Sequence, residues 1–110
     1  MTGVEITLIT VPTLEVGRTI ADTLVGERLA ACVNILPGLV SIYRWEGALE
    51  EDAEWLLIVK GATTRRAEVA ARVRELHPYD EPEVLVIEVT DGSQSYLKWV
   101  LDESDAPSRE

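Results

Sequence analysis

The sequence predicts an α+β fold, one antiparallel sheet with helices packed on it. Three observations carry that prediction. Apolar residues alternate at a period of two in some stretches and recur every three or four residues in others, in the order strand, helix, strand, strand, helix, strand. The two middle strands are separated only by a short polar stretch, so they form a hairpin. Each of the two helix-like stretches in that order lies between two strand-like ones, as a crossover connection requires. At 110 residues the chain has the size of one domain.

Residues 4–11 read as the first strand, with Val4, Ile6 and Leu8 on one face. Pro12-Thr13 ends it and opens a helix over 14–28, in which Val16, Ile20 and Leu24 are spaced by four. Glu15 suits the first turn of that helix and Arg28 the last. The stretch from Leu29 to Lys60 is the hairpin around which the chain is organised. Its first arm exceeds the usual strand length of about 5–6 residues, and Pro37-Gly38 interrupts it as a bulge or kink on an edge strand. Beyond the kink, Val40 and Ile42 point one way and Ser41, Tyr43 and Trp45 the other. A polar turn over 46–52 leads into the third strand, 54–60. Thr63 or Thr64 is placed to cap a second helix running to Leu76, with Val69, Val73 and Leu76 as its apolar stripe and Pro78 as its stop. Residues 84–89 form the fourth strand. After the Asp91-Gly92 turn, Ser93 or Ser95 caps a short helix carrying Tyr96, Leu97, Trp99, Val100 and Leu101. The single domain is expected over 1–104, with a flexible tail over 105–110.

This order is the ferredoxin-like βαββαβ pattern, here with an extended β-hairpin and a short C-terminal helix. Right-handed crossovers place both crossover helices on one face of the sheet. The other face is then bare. Its apolar residues, and the apolar surface on both faces of an overhanging hairpin, predict cover by further copies of the same chain.

Composition excludes several function classes. The formal net charge is -10, with 46% hydrophobic and 27% charged residues. Such a field repels phosphate backbones and anionic bilayers, so neither nucleic acid nor membrane is an expected partner. Cations would be concentrated near the surface. No apolar run approaches the ~20 residues that span a bilayer, and the N-terminus lacks a basic segment followed by an apolar one. A cytoplasmic setting is the expectation. The single cysteine rules out a disulfide within the chain. Enzyme constellations are absent: there is no Gly-rich phosphate loop, and no serine in an elbow-like sequence to pair with the one histidine.

His77 is that histidine, a candidate metal ligand because imidazole suits copper and zinc, or else a helix C-cap before Pro78. Cys32 offers a soft thiolate, or a small buried hydrophobe between Ala31 and Val33. One Cys and one His are fewer than the four or so ligands of a closed site. Tyr43, Trp45, Lys60, His77, Tyr79 and Asp80 form a second candidate set. Three aromatics, a cation, an imidazole and a carboxylate at a subunit boundary could hold a small anionic ligand; interface packing with a satisfied ion pair is the alternative.

Four runs carry a family resemblance: Ala30-Ala31-Cys32-Val33-Asn34-Ile35, Ser41-Ile42-Tyr43-Arg44-Trp45-Glu46-Gly47, His77-Pro78-Tyr79-Asp80-Glu81-Pro82-Glu83 and Tyr96-Leu97-Lys98-Trp99. In order and spacing they resemble the signature runs of the CutA divalent-cation tolerance proteins, over nearly the whole chain. The resemblance implies a ferredoxin-like subunit, a tightly packed homotrimer, a cytoplasmic setting and a role in tolerance to divalent metals, notably copper. Copper or another divalent cation is thus the ion to expect. Some bacterial members are held to bind copper through a first-strand cysteine and two adjacent histidines; here those places hold Ile9 and Leu76, and only His77 remains. The resemblance therefore implies weak copper binding centred on His77. The third strand also ends Lys60-Gly61, where the family usually has Lys-Thr. Two other readings stand beside tolerance: a small-ligand sensor or carrier trimer like the PII signalling proteins, and a scaffold with no ligand.

Overall fold

The alternating periods resolve, in a computed structural model described over residues 1–104, into four strands and three helices. They are β1 (Val4–Val11), α1 (Leu14–Gly26), β2 (Cys32–Trp45), β3 (Ala48–Ala62), α2 (Arg66–Leu76), β4 (Leu85–Glu88) and α3 (Gln94–Ser104). The sheet order is β2-β3-β1-β4, with each neighbouring pair antiparallel. This is the ferredoxin-like arrangement that the element order predicts. The expected tail lies outside the described residues.

The core fills the space between the sheet and α1 and α2. Ile9 and Val11 of β1 and Leu57 and Val59 of β3 meet Ile20 and Leu24 of α1 and Val69 and Val73 of α2. Gly17 allows α1 to close on the sheet: a Cβ there would stand 3.3 Å from both Leu57 Cδ2 and Val11 Cγ2. Gly61 does the same for the connection between α1 and β2, since its Cβ would lie 3.2 Å from the Leu29 carbonyl oxygen.

The opposite face is not wholly bare. α3 lies across its β1–β3 end, packing Val100, Leu97 and Leu101 against Val4, Ala31 and Val89. The helical spacing of Leu97, Val100 and Leu101 gives α3 an apolar side that must find a surface. The buried Ser104 hydroxyl accepts from the Ala62 N–H at 3.0 Å and donates to the Val100 carbonyl at 2.5 Å. Further along this face, Leu85 and Ile87 of β4 remain exposed, paired with Leu8 and Ile6.

Several element ends differ from the sequence reading. The Thr13 hydroxyl accepts the Val16 N–H and caps α1. That helix ends at Gly26, and Arg28 lies beyond it in the left-handed region, φ 61°. Its guanidinium serves α3 instead, donating to the Asp102 carbonyl at 2.8 Å. A 3-10 turn, Thr63–Arg65, precedes α2, so the residue at its N-cap is Arg65, which makes no side-chain capping bond. The hairpin turn is much tighter than the expected 46–52. It closes at Glu46-Gly47, both left-handed (φ 49° and 82°), as a two-residue loop of type I′ requires. Residues 48–52 thereby become strand, paired with 41–45. The bulge at Pro37-Gly38 forms as expected, the register shifting between Leu36 and Leu39.

Candidate functional site

The site is built from the two arms of the hairpin and the loop after α2. Strand alternation puts Tyr43 and Trp45 on one face, directly opposite Glu50 and Ala48. The same alternation brings Asp52 and Glu54 to that face of β3, and the Tyr43 hydroxyl donates to Asp52 Oδ2. The other face carries Val40, Ile42 and Leu49. The hairpin is thus aromatic and acidic on one side and largely aliphatic on the other.

Pro78 stops α2, and the chain after it crosses the end of β1. His77 fixes that crossing. Its Nε2 lies 2.7 Å from the Thr10 carbonyl oxygen, which can only accept, so Nε2 carries the proton. Its Nδ1 accepts the Tyr79 N–H at 3.1 Å. The ring is buried and packs at a tilt on Tyr79, centroids 4.6 Å apart. Thus positioned, Tyr79 reaches the hairpin and donates its hydroxyl to Glu54 Oε2 at 2.6 Å. Tyr43, Trp45, Asp52, Tyr79, Asp80 and Glu81 then line a cleft of about 220 Å³.

Every charged side chain that lines this cleft is acidic. The Tyr43 phenol is pushed up to about 12, first by its hydrogen bond to Asp52, then by desolvation and the carboxylates of the hairpin. Burial, then the bond to Glu54, drives the Tyr79 phenol up as well. Glu83, at the end of the loop, is raised by burial and by the nearby Glu54 carboxylate.

The structure brings together Tyr43, Trp45, Tyr79 and Asp80 of the sequence-derived set, with His77 as the brace behind them. Within one chain it does not bring Lys60 there. Lys60 stands six positions along the strand from Glu54, about 20 Å, and its ammonium lies instead 5.9 Å from the Tyr96 ring centroid, under α3. Asp52, Glu54 and Glu81 are the members that sequence reasoning missed. The signal was present: Glu50, Asp52 and Glu54 alternate, so a strand through them shows three carboxylates on one face.

The donor set does not fit a closed copper centre. A metal ion needs a ring lone pair, and both nitrogens of His77 are already bonded within the chain. Cys32 is half-buried opposite Lys60, at the other end of β2 from the hairpin tip. Among the described residues, no three His, Cys, Asp or Glu side chains converge as ligands.

Comparison with known proteins assigns the chain. The family model of the CutA1 divalent ion tolerance protein matches residues 5–103. The divalent-cation tolerance protein CutA of Thermus thermophilus is 54% identical over 96 residues, 87% of this chain and 93% of that protein. The chloroplastic CutA of Arabidopsis thaliana is 45% identical over 92 residues; the chain spans about half the length of this plant relative. Among solved structures, the divalent cation tolerance protein of Thermus thermophilus superposes with a TM-score of 0.90 at 51% identity, covering 92% of this chain and 98% of that one. CutA of Xylella fastidiosa superposes at 0.91 with 40% identity, over 94% and 99%. The chain belongs to the CutA1 divalent ion tolerance family.

Proposed function

We propose that the protein acts in tolerance to divalent cations as a homotrimer, meeting copper or another such ion loosely rather than in a closed centre. The observation that carries the assembly is the aliphatic face of the hairpin: Val40, Ile42 and Leu49 are 67%, 64% and 70% exposed. A single chain leaves that face in water, which is the mark of an interaction surface. The exposed Leu85 and Ile87 on the open sheet face add to it. Three copies is the number that the family resemblance implies. Loose ion contact is supported by the -10 net charge and by the commitment of both His77 nitrogens to the fold.

Light scattering of the purified protein should give about three chain masses; a stable monomer at micromolar concentration refutes the assembly. Calorimetric titration of the metal-free protein with copper(II) and zinc(II) should show weak binding that fades in salt. Tight, stoichiometric binding that survives salt refutes the loose-contact reading.

A further inference from the structure

We propose that the cleft between the hairpin and the loop after α2 binds a small organic cation, an alkylammonium or quaternary ammonium group, against Tyr43, Trp45 and Tyr79. The proposal goes beyond ion tolerance and uses residues of a single chain.

Its walls are aromatic: three of the six lining residues are Tyr43, Trp45 and Tyr79, and the other three are Asp52, Asp80 and Glu81. Aromatic faces carry negative quadrupole potential and attract cations within about 6 Å of the ring centroid. The ring substituents reinforce it, because both phenol protons are turned away onto carboxylates, Tyr43 onto Asp52 and Tyr79 onto Glu54. Asp80 and Glu81 stand exposed at the rim. Lys60, the cation that could have recruited an anion, lies under α3.

The alternatives fit less well. An anion would enter a field set by carboxylates and by the whole -10 molecule. A hard metal ion would want converging oxygen ligands in place of its hydration shell. Here Asp52 is engaged by Tyr43, and ring faces offer no lone pairs. An alkylated ammonium group gives up little hydration and fills space against rings, and the cleft of about 220 Å³ has room for one. The aliphatic side chains proposed for assembly are on the opposite face of the hairpin from Tyr43 and Trp45.

The test is calorimetric titration of the full-length, assembled protein with choline chloride, at ionic strength held constant with sodium chloride. The comparison compound is the uncharged isostere in which carbon replaces the quaternary nitrogen. We expect saturable millimolar or tighter binding with one site per chain, and the isostere at least about ten-fold weaker. Trp45→Leu should weaken binding about ten-fold. The paired rim substitution Asp80→Asn with Glu81→Gln should weaken it about five-fold. The rim pair lies on an exposed loop and decides the matter if Trp45→Leu disturbs assembly. Heats no different from those of sodium chloride overturn the proposal. So does equal affinity for the isostere, which would show a merely apolar cleft, or binding indifferent to the rim pair. A cleft closed by a lysine or arginine of a second copy gives the first of these results and overturns it too.

Discussion

Tyr79→Phe deletes one oxygen atom and tests whether the loop after α2 is held to the hairpin as described. The lost bond is the 2.6 Å contact to Glu54 Oε2, a charge-assisted O–H to carboxylate bond. Glu54 is only 7% exposed, so its carboxylate cannot simply turn to bulk water. Hydrogen bonds to charged groups contribute roughly 1.5–3 kcal/mol, and losing one partner leaves the other to bear its desolvation. The cleft of about 220 Å³ opens beside the vacated position and can admit a water. That places the expected loss near the lower end, about 2 kcal/mol per chain. Tyr43→Phe is the control. It removes the same oxygen from a pair, Tyr43 with Asp52, that is exposed, so water replaces the bond at little cost. Guanidinium denaturation of both variants at one protein concentration gives the comparison. Glu54→Gln, alone and with Tyr79→Phe, completes a double-mutant cycle with an expected coupling of about 1 kcal/mol. Equal midpoints for the two tyrosine variants, or zero coupling in the cycle, would refute the brace.

Four further outcomes are expected. Arg66→Ala should lower the melting temperature by several degrees, because the 3%-exposed Glu5 carboxylate takes its bonds from Arg66 Nε and Nη2 at 2.9 and 2.6 Å; Glu5→Gln in the same chain should restore part of the loss, and no recovery would count against an unpaired buried charge. Gly61→Thr should also destabilise, despite threonine's preference for strands, because the new Cβ meets the Leu29 carbonyl at 3.2 Å; a melting temperature at or above the parent's would show that the connection yields. Glu83→Gln should stabilise at neutral pH. Its folded value is raised above the ordinary 4.5, so the group's contribution is fully present below 4.5 and lost as pH rises through the folded value; the gain from Gln must therefore vanish in melts run below pH 4.5, and a gain independent of pH would exclude this cause. Ile42→Asp together with Leu49→Lys should reduce the scattering mass toward that of one chain if the aliphatic hairpin face is the contact.

Local chemistry was well expressed in the sequence. The order of elements followed from hydrophobic period, and the bulge followed from Pro37-Gly38, where one residue lacks an N–H and the next can take a positive φ. The turn was less visible, because Glu46 adopts a left-handed conformation that a side chain rarely takes, and the acidic run after it resembles a solvated loop. The place of α3 could not be read at all: its apolar side demands a surface without saying which. At the site, Tyr43, Trp45, Tyr79 and Asp80 were found because aromatics near turns stand out. Lys60 was grouped with them across a subunit boundary; within one chain it stands six positions along β3 from Glu54, a separation that no local signal in the sequence announces. The role of His77 needed the fold, since the Thr10 carbonyl it binds is 67 residues away.

The bulge in β2 bears on how a long strand edge is guarded against aggregation. β2 is an outer strand of 14 residues, and its free edge would be a template on which stray strands could add. Pro37 and the left-handed Gly38 divide that edge into two short runs, Cys32 to Leu36 and Leu39 to Trp45, whose registers no longer continue one another. An incoming strand can follow either run but not both. The kink therefore acts as protection against fibril growth, placed where the chain most needs a long strand for its own hairpin.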